Sequence, residues 1–140
     1  MELNIKKLHP SAMVPTYAHD GDAGFDLCAI ENVIIKAGER TLVRTGIAME
    51  IPFGYVGLIW DKSGLSMNHG LKTLGGVVDA GYRGEVTVGI INLSTSDYTF
   101  VAGHKVAQML IQKVERVEIK EAEELSGTTR GESGYGSTGK

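Results

Sequence analysis

The sequence predicts an all-β domain of the barrel or jelly-roll type, and three observations carry that prediction. Apolar residues recur at a period of two in one segment after another. Turn residues separate these segments at short intervals. Only one short stretch reads as helix. With 140 residues, 42% of them hydrophobic and 22% charged, the chain fits one domain with a core that needs no staples. Its 19 glycines are about twice the usual ~7% share, which points to tight turns or pockets lined by backbone.

Taken in order, Val33, Ile35 and Thr41-Leu42-Val43-Arg44-Thr45 read as strands around the turn Lys36-Ala37-Gly38-Glu39. In Gly46-Ile47-Ala48-Met49-Glu50-Ile51, Ile47, Met49 and Ile51 alternate with smaller or charged neighbours. Tyr55-Val56-Gly57-Leu58-Ile59-Trp60 is apolar throughout, as expected of a strand buried on both faces. The helical patch runs from Ser63 to Asn68, with Gly70 placed to end it. Strands are expected again from Glu85 to Leu93, from Lys105 to Lys113 and over Arg116-Val117-Glu118-Ile119-Lys120. The segment 126–140 is mostly Gly, Ser and Thr with no aliphatic residue, so the expected division is a barrel, 1–125, and a C-terminal arm, 126–140. Within the arm, Arg130, Tyr135 and the hydroxyls of Ser137 and Thr138 suit a cap over a nucleotide triphosphate, ordered when ligand binds.

A net charge of −3 excludes a strong electrostatic drive toward nucleic acid or anionic membrane. One cysteine, Cys28, excludes an internal disulfide and multi-cysteine zinc sites. No apolar run approaches the ~18 residues of a membrane span, and the first residues lack the apolar core of a signal peptide, so the expected compartment is the cytoplasm. P-loop and nucleophile-elbow signatures are absent. The four histidines are scattered and read as surface or turn residues. Asp20-Gly21-Asp22-Ala23-Gly24-Phe25-Asp26 imitates a calcium loop, but its glycine is one place early and no helix flanks it.

Three segments suggest chemistry. Ala23-Gly24-Phe25-Asp26-Leu27 sets an acid where a strand begins. Asp61-Lys62-Ser63-Gly64-Leu65 places a cation, a hydroxyl and a glycine at a helix start, where backbone N–H groups attract phosphate but Ser and Asp are also ordinary caps. Gly75-Gly76-Val77-Val78-Asp79-Ala80-Gly81-Tyr82-Arg83-Gly84-Glu85 reads as a hairpin with an acid and an aromatic at its tip.

Together with Gly103-His104-Lys105-Val106-Ala107-Gln108-Met109 and Arg130-Gly131-Glu132-Ser133-Gly134-Tyr135-Gly136-Ser137-Thr138-Gly139, these segments resemble the five ordered motifs of the homotrimeric deoxyuridine triphosphate nucleotidohydrolase (dUTPase) family. Each motif is weak alone; five in order from Ala23 to Gly139 are specific. The resemblance implies a trimeric jelly-roll β-barrel with active sites shared between subunits. It implies Mg²⁺-dependent hydrolysis of dUTP to dUMP and pyrophosphate, which keeps uracil out of DNA and supplies dUMP for thymidylate synthesis. Asp79 would activate the water that attacks the α-phosphorus. Asp26 would reach Mg²⁺ through its waters, the ion sitting mainly on the triphosphate. Ser63 would donate toward the α–β bridge with Lys62 and Gly64 beside it, and Gln108 would support the α-phosphate. Gly76, Val77 and Val78 would read uracil through backbone groups and exclude thymine by size. Tyr82 would lie against deoxyribose and leave no room for a 2′-hydroxyl. Tyr135 would stack on uracil, Arg130, Ser137 and Thr138 would cover the γ-phosphate, and Gly136 among them would also bind substrate.

The chain departs from the family pattern at Lys62, where Arg is common, at Tyr135, where Phe is common, and at His104, which replaces a more usual acid. A related deaminase of dCTP carries its catalytic glutamate where this chain has Gly89, so that reaction lacks its base here. A regulatory module that retains the pocket without catalysis is the rival of another class.

Overall fold

Backbone groups in an alternating segment need a partner strand, and the chain supplies partners through four small antiparallel sheets. The computed structural model describes residues 1–134. In chain order the elements are β1 (Asn4–Lys7), β2 (Phe25–Cys28), β3 (Val33–Ile35), β4 (Arg40–Arg44), β5 (Ile47–Glu50), β6 (Tyr55–Trp60), α1 (Ser63–His69), β7 (Leu71–Leu74), β8 (Val77–Asp79), β9 (Thr87–Asn92), β10 (Tyr98–Phe100) and β11 (Lys105–Lys113). The sheets run β2-β11-β6-β8, β4-β9-β7, β1-β5 and β10-β3. Their inward side chains meet in one core, with Leu27, Val43, Val88, Phe100 and Met109 fully buried, closing a jelly-roll-like barrel. Each such side chain contributes about 1.5–3 kcal/mol by leaving water.

Several sequence expectations hold. The turn after β3 is closed by the Glu39 N–H donating to the Lys36 carbonyl at 3.0 Å, with Gly38 at φ 77°. Helix α1 ends at Gly70 in the left-handed conformation, its N–H capping the carbonyls of the last turn. β9 alternates cleanly, with Val88, Ile90 and Asn92 inward. Buried Asn92 is fully engaged: its amide donates to the carbonyls of Ile35 and Ser96, and its oxygen accepts from the N–H and hydroxyl of Ser94.

Other expectations need correcting. β6 is not buried on both faces within the chain: Gly57 and Ile59 are inward, while Trp60 is 52% exposed. Ile47, Met49 and Ile51 are buried at the expected period of two and Glu50 is exposed, but Ala48 between them is buried as well, so both faces of β5 are covered there. The segment from Gly75 to Glu85 is not a hairpin. β7 pairs with β9 and β8 pairs with β6, so Gly75-Gly76 carries the chain from one sheet to another. Arg116 to Lys120 forms no strand: β11 ends at Lys113, and residues 114–134 are exposed without regular structure. β1, β7 and β10 lie outside the strands the sequence predicts; each is only three or four residues long, too short for a period to declare itself. No helix among the described residues is long and apolar enough to cross a membrane.

Candidate active site

The sheet β2-β11-β6-β8 brings three of the singled-out segments together. Gln108 on β11 lies opposite Asp26 on β2 and opposite Trp60 on β6. It therefore sits between Asp26 and the start of the segment that carries Lys62 and Ser63. Its amide donates to the Asp61 carbonyl at 2.9 Å. A Cβ on Gly24 would come within 3.0 Å of the Gln108 side-chain oxygen, so the glycine keeps this crossing open.

Asp26 is the charged centre of the cluster. Only 5% of it is exposed, and two ammonium groups meet its carboxylate: Lys62 Nζ at 2.5 Å from Oδ1 and Lys105 Nζ at 2.6 Å from Oδ2. Burial pushes this carboxyl upward, but the close ammonium groups of Lys105 and Lys62 outweigh it and hold the group below the usual carboxylate range. Asp26 in turn raises Lys105. Two cations on one anion leave the cluster at +1, a charge suited to phosphate rather than to a bare metal ion.

Ser63 opens α1, and neither it nor Asp61 caps the helix by a side-chain hydrogen bond. Asp61 is used otherwise: it accepts from the Thr73 N–H at 2.7 Å, the Thr73 hydroxyl at 2.8 Å and Lys72 Nζ at 2.8 Å. These bonds tie the Lys62-Ser63 segment to β7. A Cβ on Gly64 would meet nothing within 4 Å, so nothing in the chain itself demands glycine there.

A second concavity forms along β8, the edge of the same sheet. Ile59, Gly76, Val77, Val78, Asp79 and Tyr82 line it together with the chain leading into β9, enclosing about 220 Å³. Gly76 has φ 101°, and a Cβ there would stand 2.8 Å from the Ile59 carbonyl, so this edge closes only with glycine. The Asp79 side chain is exposed, and its carbonyl accepts from the Tyr82 N–H at 3.0 Å. The Tyr82 ring folds back over Gly84, where any Cβ would collide with it, and its hydroxyl donates to the Glu85 carbonyl at 3.0 Å. Arg83 staples this turn by donating to the carbonyls of Ala80 at 2.6 Å and Tyr82 at 2.9 Å, while its other nitrogen holds Glu50. Glu85 fixes the far end through Arg44 and the Gly46 N–H.

The expected site residues thus fall into groups. Asp26, Lys62, Ser63, Gly64 and Gln108 gather at one place, and Gly76, Val77, Val78, Asp79 and Tyr82 at another. β2 and β8 stand three strand spacings apart, about 14 Å by ordinary sheet geometry. Arg130 joins neither group and, among the described residues, donates only to the Ser133 carbonyl, at 3.0 Å. Tyr135, Gly136, Ser137 and Thr138 lie outside the described residues. His104, the departure from the motif's usual acid, shapes the turn before β11, where its Nδ1 accepts from the Val101 N–H at 3.3 Å. Asp61, Arg83 and Lys105 lie in the quoted motifs with no site role expected of them, yet take part in the site's construction; their partners are set by strand register, which residue types alone do not reveal.

No three His, Cys, Asp or Glu side chains converge on a metal position among the described residues. An ion held by a protein cage does not fit this set, whereas one carried on a ligand's phosphates does.

The chain is similar to known proteins over nearly its whole length. The dUTPase family model matches residues 11–139. A deoxyuridine 5'-triphosphate nucleotidohydrolase of Clostridium kluyveri is 47% identical, over 99% of both chains. One from Nautilia profundicola is 49% identical over the whole of both. Among solved structures, a variant of the Staphylococcus bacteriophage 80alpha dUTPase with dUpNHpp superposes with a TM-score of 0.93 at 30% identity, covering 99% of this chain and 98% of that one. A variant dUTPase from phage phi11 of S. aureus, described with a structural Mg(II) ion, gives a TM-score of 0.83 at 29% identity over 89% and 98%.

Proposed function

The chain belongs to the dUTPase family, and from that premise we propose that it hydrolyses dUTP to dUMP and pyrophosphate with the residues gathered at its two concavities. The observation that carries this assignment is the β8 pocket, where an exposed carboxylate, an aromatic ring and unsubstituted backbone share one sheet edge. Backbone N–H and C=O groups along Gly76, Val77 and Val78 read uracil as a partner strand would. A cytosine reverses that donor and acceptor pattern and leaves buried groups unpaired, a penalty on the order of 10⁴-fold in a dry site. Tyr82 lies against deoxyribose and excludes a 2′-hydroxyl.

Asp79 then holds a water in line with the α-phosphorus and takes its proton as the new P–O bond forms. The bond to the bridging oxygen breaks, and pyrophosphate leaves. Ser63 donates toward that oxygen, where negative charge grows, and open space at Gly64 lets the phosphates approach the backbone. Lys62 contributes a point charge and Gln108 steadies the segment. A Mg²⁺ ion borne on the triphosphate would neutralise phosphate charge, with Asp26 reaching its waters. Arg130, Tyr135, Gly136, Ser137 and Thr138, in the 126–140 arm, cover the nucleotide.

Active sites shared within a homotrimer belong to the same proposal. The three strand spacings between Asp26 on β2 and the β8 pocket in one chain support it, because a neighbouring chain can bring its own β8 pocket to Asp26. So do Val117 at 77% exposure and Ile119 at 91%, a strand-like alternation with no partner in the described chain. Deamination is disfavoured at Gly89, where a Cβ would already stand 3.1 Å from the Leu74 carbonyl.

The test is pyrophosphate release from dUTP, dCTP, dTTP and UTP in parallel with Mg²⁺. Release from dUTP alone is expected. Silence on all four with dUTP still bound would favour the regulatory reading instead.

A further inference from the structure

Two lysines hold Asp26, and they reach it in different ways. Lys62 stands at the start of α1, next to Ser63, on the segment assigned above to the phosphates. Lys105 comes from β11 through an irregularity in the ladder. Met109, Gln108 and Ala107 pair with Phe25, Asp26 and Leu27, but Cys28 pairs with Lys105, leaving Val106 as an extra residue. Asp26 and Cys28 share a sheet face, since side chains alternate along a strand. Regular pairing would set Val106 on that face and turn Lys105 away from it. The bulge buries Val106 and Ala107 in succession and aims Lys105 at Asp26. The Oδ2 atom it meets is sealed from solvent and accepts no well-aligned hydrogen bond among the described residues, so the ammonium at 2.6 Å is its compensation.

We propose that Lys105 is a positioning residue that keeps Asp26 charge-balanced and in place while Lys62 exchanges the carboxylate for the substrate's triphosphate. The inference rests on the phosphate role given to Lys62 above. Lys62 can turn all three of its N–H donors to phosphate only by leaving Oδ1, which it holds at 2.5 Å. If Lys62 were the sole partner, its departure would strand a buried carboxylate, which is strongly unfavourable. With Lys105 fixed by the bulge, Lys62 leaves behind a paired anion. Asp26 also gains a free Oδ1, the atom it needs to reach water around a phosphate-borne metal.

The experiment compares binding of the dUTP analogue dUpNHpp and of dUMP, by calorimetry with Mg²⁺, in wild type, Lys105→Met, Lys105→Gln and Lys105→Arg. Either neutral substitution should weaken dUpNHpp roughly tenfold, since Lys62 then stays on Asp26. Binding of dUMP, which lacks the β- and γ-phosphates, should change little, and Lys105→Arg should restore most of the loss. In an Asp26→Asn background, Lys105→Met should no longer matter. Equal loss for both nucleotides, or the same loss in the Asp26→Asn background, would overturn the proposal by reducing Lys105 to a structural residue or a distant attractive charge. A wild type that binds neither nucleotide would instead overturn the reading of the site itself.

Discussion

At the scale of single residues, charge partners decide which acids serve the site and which build it. Asp61 and Asp26 both sit below the usual carboxylate range although burial pushes each upward; Lys72 and Thr73 bring down the first, Lys105 and Lys62 the second. For Asp61 the sign of the pH dependence follows. Its folded carboxyl binds a proton less readily than the unfolded one, so its contribution to stability is full above about pH 4 and is lost as pH falls through the lowered folded value. Denaturant melts across pH should show wild type losing its advantage over Asp61→Asn on acidification; a constant gap would remove Asp61's charge from the balance. The residue types at the site were legible because motifs fix them. Asp26, Lys62 and Gln108 are named by local sequence and do meet. Lys105 was not legible as a partner of Asp26, because one extra residue in a ladder turns a side chain to the other face without any mark in composition. Asp61 hid for a related reason: its partners lie eleven and twelve residues ahead, across a helix.

At the scale of elements, the long strand from Lys105 to Lys113 and the Gly70-capped helix could be read almost to the residue. The Gly75–Glu85 hairpin could not, since two adjacent strands with turn glycines between them look alike whether they pair together or join different sheets. Gly76 makes that join. Gly76→Ala forces a side chain into a left-handed conformation against the Ile59 carbonyl, at a cost of about 1–3 kcal/mol. It should lower the melting temperature and raise KM for dUTP; unchanged values for both would show that β8 tolerates displacement. The arm answers to a different balance. Residues 126–134 are exposed and add nothing to the core, so truncation after Leu125 should leave melting unchanged while cutting activity severely through lost closure. Full activity without the arm would mean that it takes no part in the reaction.

At the scale of the molecule, one chain leaves apolar side chains uncovered on several elements: Leu42 on β4, Trp60 on β6, Val77 on β8 and the Val117-Ile119 alternation. The expectation of a strand at Arg116 to Lys120 failed within one chain for want of a partner, although the alternation itself is real. A trimer by light scattering, persisting at assay concentration, is the expected state; a fully active monomer would rule out sites shared between chains. Hydrolysis at the β8 pocket is tested most directly by pyrophosphate release from dUTP with Asp79→Asn measured beside wild type. The rate should fall by at least ~100-fold while dUpNHpp binds as before. A rate near that of wild type would contradict the assignment of Asp79 as the group that activates the attacking water.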